Sequence, residues 1–82
     1  MRHGWCEVDE ASFAAVAAGR NGSRYHLTAE RLPGDDGRWD WTVWRQGEAP
    51  ETARHGNELS AEAALRAAEA AVWDWDDTVP PC

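Results

Sequence analysis

Arg38-Trp39-Asp40-Trp41-Thr42-Val43-Trp44-Arg45 alternates large apolar with polar residues, broken only at Trp44. Alternation of that period marks a strand with one buried face. Trp39, Trp41 and Val43 fall on one side, and Asp40, Thr42 and Trp44 on the other. Just upstream, Arg24 to Leu32 alternates in the same way, with Tyr25, Leu27 and Ala29 sharing one face and His26, Thr28 and Glu30 the other. Between the two runs lies Pro33-Gly34-Asp35-Asp36-Gly37, rich in turn-forming residues. The pair therefore reads as a hairpin. Pairing Leu32 with Arg38 sets Leu27 opposite Val43 and Ala29 opposite Trp41. A slip of one residue would mix the two faces. The same register sets His26 opposite Trp44, Thr28 opposite Thr42, and Glu30 opposite Asp40, a like-charged pair that costs stability.

Outward from the hairpin, Asp9 reads as a helix N-cap with Glu10 in the first turn, and Ala11 to Ala18 as a short helix with Phe13, Val16 and Ala17 inward. Gly19 supplies its stop. After Gln46-Gly47, residues 51–55 read as a ragged third strand, charged as an edge strand should be. Gly56-Asn57-Glu58 reads as a loop. Ser60 caps a second helix, from Ala61 to about Trp75. Ala61, Leu65, Ala68, Val72 and Trp75 form its inner face, while Glu62, Arg66, Glu69 and Trp73 form its outer stripe, with Glu62 and Arg66 spaced to pair. The expected fold is α+β: one domain over 1–82, with 1–8 irregular, an αβββα core over 9–77, and a tail over 78–82. A small antiparallel sheet of two to three strands would carry a short N-terminal and a longer C-terminal helix on one face.

A chain of 82 residues has a marginal core. With no Ile and fifteen Ala, the six Trp must supply most of the core volume, at about 150–250 Å² of buried surface each. Trp5 is placed to cap it. The charge is −7, from fifteen acids against eight Arg and no Lys. That balance repels nucleic acid, whose binding depends on neutralising phosphates, and suits a basic protein partner. The N-terminus lacks the apolar run of a signal peptide, and no stretch has the apolar length of a membrane span. These features predict a cytoplasmic protein with no membrane partner. Cys6 and Cys82 are then free thiols by default, and a bond between them is open only where the two chain ends meet.

The run Gly56-Asn57-Glu58-Leu59-Ser60-Ala61-Glu62-Ala63-Ala64-Leu65-Arg66-Ala67-Ala68, with the αβββα order, resembles the end of a double-stranded-RNA-binding domain. That family places Lys residues at the start of its second helix to hold phosphates. Ala61 and Glu62 stand there in this chain, so the likeness implies a fold without RNA binding. In size, charge and Ala content the chain also resembles small phage or bacterial inhibitor proteins of the anti-CRISPR kind. Such proteins occupy a basic nucleic-acid channel on their target.

His3, His26 and His55, together with the cysteines, lack metal-ligand spacing, and no catalytic or cofactor-binding motif is present. Asp74, Asp76 and Asp77 are anomalous, because the C-terminus of a helix disfavours anions by about 0.3–1 kcal/mol each. Either the helix frays near Val72 and the acids are merely solvated, or they form an acidic surface. Asp35 and Asp36, and Glu30 with Asp40, are the further candidates for that surface, with Trp44 and Trp73 as exposed anchors. The leading expectation is a non-enzymatic interaction protein that binds a basic protein surface. A structural or regulatory homodimer, joined through the open sheet face or the third strand, is the alternative. A small protein dependent on a metal or a thiol is the third.

Overall fold

The computed structural model describes residues 5–19, 22–32 and 37–77. Five antiparallel strands form one sheet: β1 (Cys6–Asp9), β2 (Ser12–Ala18), β3 (Arg24–Arg31), β4 (Trp39–Arg45) and β5 (Arg54–Glu58). They lie in sequence order, so the sheet is a meander. One helix follows, α1 (Ala61–Asp76), packed across β3, β4 and β5.

The hairpin has the register read from its alternation. Leu27 faces Val43, Ala29 faces Trp41, His26 faces Trp44 and Glu30 faces Asp40, and the Leu32 amide donates to the Arg38 carbonyl at 3.0 Å. Tyr25, Leu27, Ala29, Trp39 and Val43 are buried under α1 with Leu65, Ala68, Val72 and Trp75. Ala29 is paired with Phe13 on one side and Trp41 on the other. Its small side chain leaves room for the Phe13 and Trp39 rings to meet, with centroids 5.8 Å apart.

The expected αβββα order is overturned at its first element. Residues 12–18 are strand, paired along their whole length with β3, so the sheet has five strands and α1 is the only α-helix among the described residues. Alanine is the best helix former, but intrinsic propensity yields readily to tertiary context, and an eight-residue helix is marginal by itself. Pairing with β3 instead puts Phe13, Ala15 and Ala17 onto the core side. Asp9 does cap, but it caps a turn: its Oδ1 accepts from the Ala11 amide at 2.8 Å and the Ser12 hydroxyl at 3.1 Å. The same short carboxylate serves either structure. The preceding segment is correspondingly strand from Cys6, not irregular to residue 8. Trp5 does close the core, at 5% exposure.

The last strand is shifted from 51–55 to Arg54–Glu58. The Ala49 carbonyl accepts from both the amide and the hydroxyl of Thr52, and this holds a 3-10 turn over Pro50–Thr52. Gly56, expected in a loop, pairs with Trp41 within the sheet. A Cβ there would lie 2.9 Å from the indole, so the ring lies over the glycine. Ser60 caps α1 as expected, its hydroxyl accepting from the Ala63 amide at 3.1 Å.

Candidate interaction surfaces

Consecutive helical residues are about 100° apart, and this separates the three terminal acids of α1. Asp74 points toward β5, where Arg54 donates to it at 3.0 Å while stacking 4.8 Å from the Trp75 ring centroid. Asp76 turns inward and is only 9% exposed. Its Oδ1 accepts from the Tyr25 hydroxyl at 3.2 Å. Asp77 remains on the exposed side. The helix therefore does not fray at Val72. Burial of Val72 and Trp75, with the bonds to Arg54 and Tyr25, holds its last turn against the unfavourable dipole.

Tyr25 is fully buried and its phenol is raised above the ordinary value of 10.0, first by burial and then by the Asp76 carboxylate that accepts its proton. Arg45 partly opposes this, bonded through Ser23 at 2.8 Å. A group whose folded pKa is raised adds stability below its unfolded pKa and loses it as pH climbs through the folded value. Stability should thus fall above about pH 10, the ordinary phenol pKa, as Tyr25 ionises. Tyr25 is the only tyrosine, so phenolate absorbance reports on it alone. Tyr25→Phe should remove that alkaline titration and cost about 1–3 kcal/mol at neutral pH, by leaving a buried carboxylate short of a donor. A phenolate that titrates at the free-tyrosine value would refute the assignment.

Beside this bond lies a groove of about 330 Å³ between β2 and α1. Ala15, Ala17, Leu27 and Val72 give it apolar walls, Trp5 and Trp73 are two further walls, and the acidic residues Glu69 and Asp76 complete its lining. The Trp5 indole donates to Glu69 at 2.7 Å and fixes that end. Trp73 is 72% exposed. Trp5 was expected to cap the core and Glu69 to lie on the outer stripe of the helix, and neither was expected in a binding surface. The spacing Glu69, Trp73, Asp76 is i, i+4, i+7 and shows from sequence that they share a helix side, but their partner β2 was hidden by its reading as a helix.

The opposite face of the sheet carries the other candidates. Glu30 and Asp40 are neighbours there, as the register requires. Asp40 accepts from the Asn57 side-chain amide at 3.4 Å, and the side-chain oxygen of Asn57 in turn accepts from Arg38 at 3.5 Å, which offsets part of the repulsion. Trp44, 37% exposed, stacks on His26 with centroids 5.3 Å apart. These residues are separated by the thickness of the sheet from Trp73 and the α1 acids, so one flat partner cannot cover both sets. Asp35 and Asp36 lie outside the described residues, as do His3 and Cys82. Among the described residues, no three of His, Cys, Asp and Glu are grouped to hold a metal, and no helix is long and apolar enough to cross a membrane.

The class these elements define is a five-stranded antiparallel meander backed by one C-terminal helix. No family model, curated protein or solved structure matches the chain.

Proposed function

We propose that this is a non-catalytic interaction protein that binds a basic protein surface through the groove between β2 and α1, with Trp73 as its anchor. The observation that carries this is a largely exposed tryptophan at the edge of an apolar groove lined by two acidic residues. A Lys or Arg side chain of the partner has the matching chemistry. Its aliphatic stem packs on Trp73, and its cationic head meets the half-buried Glu69 carboxylate, with Asp76 adding negative charge from beneath. Asp77 and the overall charge of −7 add long-range attraction, which accelerates encounter more than it tightens the complex. An inhibitor that occupies a nucleic-acid-binding surface on its target is the form of this activity the charge favours.

Titration with an arginine-rich peptide, followed by the Trp73 indole resonance in a nuclear magnetic resonance spectrum, tests the proposal. Salt-sensitive binding that shifts that resonance is expected, with no binding of duplex DNA or RNA at physiological salt. Trp73→Ala should keep the melting temperature and weaken the peptide at least tenfold, through faster dissociation. A cationic peptide that leaves Trp73 unmoved, or a Trp73→Ala protein that binds as tightly as the parent, would reject it.

A further inference from the structure

The sheet ends at β5, whose outer edge has no strand beside it among the described residues. The hydrogen-bond phase of that edge follows from the hairpin. The Leu32 amide bonds to Arg38, and the Gln46 amide to Arg24. Main-chain groups of Asp40, Thr42 and Trp44 therefore point to β3, and those of Trp39, Trp41 and Val43 to β5. Their partners are Glu58, Gly56 and Arg54. What remains on the open edge are the main-chain groups of His55 and Asn57.

Two such edges can meet antiparallel about a twofold axis in few registers, because both strands must present outward-pointing groups. Pairing His55 with its own copy sets Arg54 against Gly56. Pairing Asn57 with its own copy sets Gly56 against Glu58. Pairing His55 with Asn57 of the second copy puts Gly56 on the axis and uses all five residues of β5. It also places Arg54 directly opposite Glu58, twice. The segment Arg54-His55-Gly56-Asn57-Glu58 is thus complementary in charge to its own reversed copy. Charges on an edge strand usually discourage pairing. Here their order matches one partner, a second copy of the same strand. Gly56 removes the side chain where the two strands are symmetric. Arg54 already donates to Asp74, and its guanidinium has further donors for the Glu58 of a second copy.

We propose that β5 joins two copies of this chain into a continuous ten-stranded antiparallel sheet, with both helices on one face and the twofold axis through Gly56. This surface is separate from the groove, so its failure leaves the basic-partner proposal standing.

Sedimentation of the full chain from micromolar to millimolar concentration tests it, with circular dichroism confirming that each variant is folded. A concentration-dependent dimer is expected. Asn57→Pro removes an outward-pointing main-chain amide and keeps the main-chain ladder to β4, losing only the side-chain bonds of Asn57 to Asp40 and Arg38, and should weaken the dimer at least tenfold. Arg54→Glu alone and Glu58→Arg alone each set like charges opposite one another in a homodimer and should be monomeric. Mixed together they restore both Arg–Glu pairs and should form a heterodimer. A folded parent protein that stays monomeric at millimolar concentration overturns the proposal. So does a dimer indifferent to Asn57→Pro, or a mixture of the two charge variants that fails to associate.

Discussion

Trp75→Ala should lose about 3–5 kcal/mol, the usual loss for truncating a buried aromatic. Trp75 is 8% exposed and ties three elements together. It meets the buried Tyr25 ring edge-on at 5.6 Å, carries the Arg54 guanidinium on its face, and anchors the last turn of α1 over the sheet. Removing it leaves a cavity at the place where helix, hairpin and last strand converge. Domains of this size hold only about 5–15 kcal/mol in total. Each kcal/mol moves the melting temperature of a small domain by about 4–8 °C, so the midpoint should fall by about 12–40 °C. Thermal and urea melts of the variant measure this, and a fall under about 5 °C would mean that α1 is not seated through Trp75.

Gly19→Ala should be the most damaging single-methyl change. A Cβ at Gly19 would lie 2.5 Å from Asp76 Oδ1 and 2.7 Å from a Tyr25 ring carbon. No left-handed backbone is involved, so the penalty is steric, arising where the end of β2 touches the end of the helix. Relief requires moving a buried tyrosine or breaking its bond to Asp76. Overpacking costs about 1–3 kcal/mol, and a disrupted buried hydrogen bond adds a comparable amount. The expected loss is about 2–6 kcal/mol from these two sources. Asp76→Ala in the same chain removes one of the colliding groups. The double variant should therefore be more stable than the sum of the two single losses, by more than about 0.5 kcal/mol. Strict additivity would show that Gly19 and Asp76 are not in contact.

How far the sequence could be read depended on how strongly each segment was patterned. β3 and β4 alternate with aromatic and branched residues, and their register followed from keeping the faces unmixed. α1 followed from Ser60 and the spacing of Leu65, Ala68, Val72 and Trp75. β2 was not legible because four of its seven residues are alanine, whose small side chain carries little periodic signal and whose intrinsic preference is helical. Its strand state comes from β3, a nonlocal cause. β5 was misplaced because Gly56 and Asn57 read as a loop, and only the Trp41 ring lying over Gly56 explains a glycine there. At the candidate surfaces, the exposure of Trp44 and Trp73 followed from face assignment. The different surroundings of Asp74, Asp76 and Asp77 did not, because they depend on where Tyr25 and Arg54 reach in three dimensions.

The meander order has a consequence for how the chain reaches this structure. Every strand pairs with its neighbour in sequence, so the sheet closes through short loops. The bonds that seat the helix are of another kind: Tyr25 to Asp76 spans 51 residues and Trp5 to Glu69 spans 64. Loop-closure entropy grows with that separation, and short-range topologies fold fastest. The sheet is thus the quick part of the search and helix docking the slow one. In the interval between them, the aromatic face of Tyr25, Trp39 and Trp41 stands uncovered to solvent, and it is then that the chain is most open to capture by other exposed apolar surfaces.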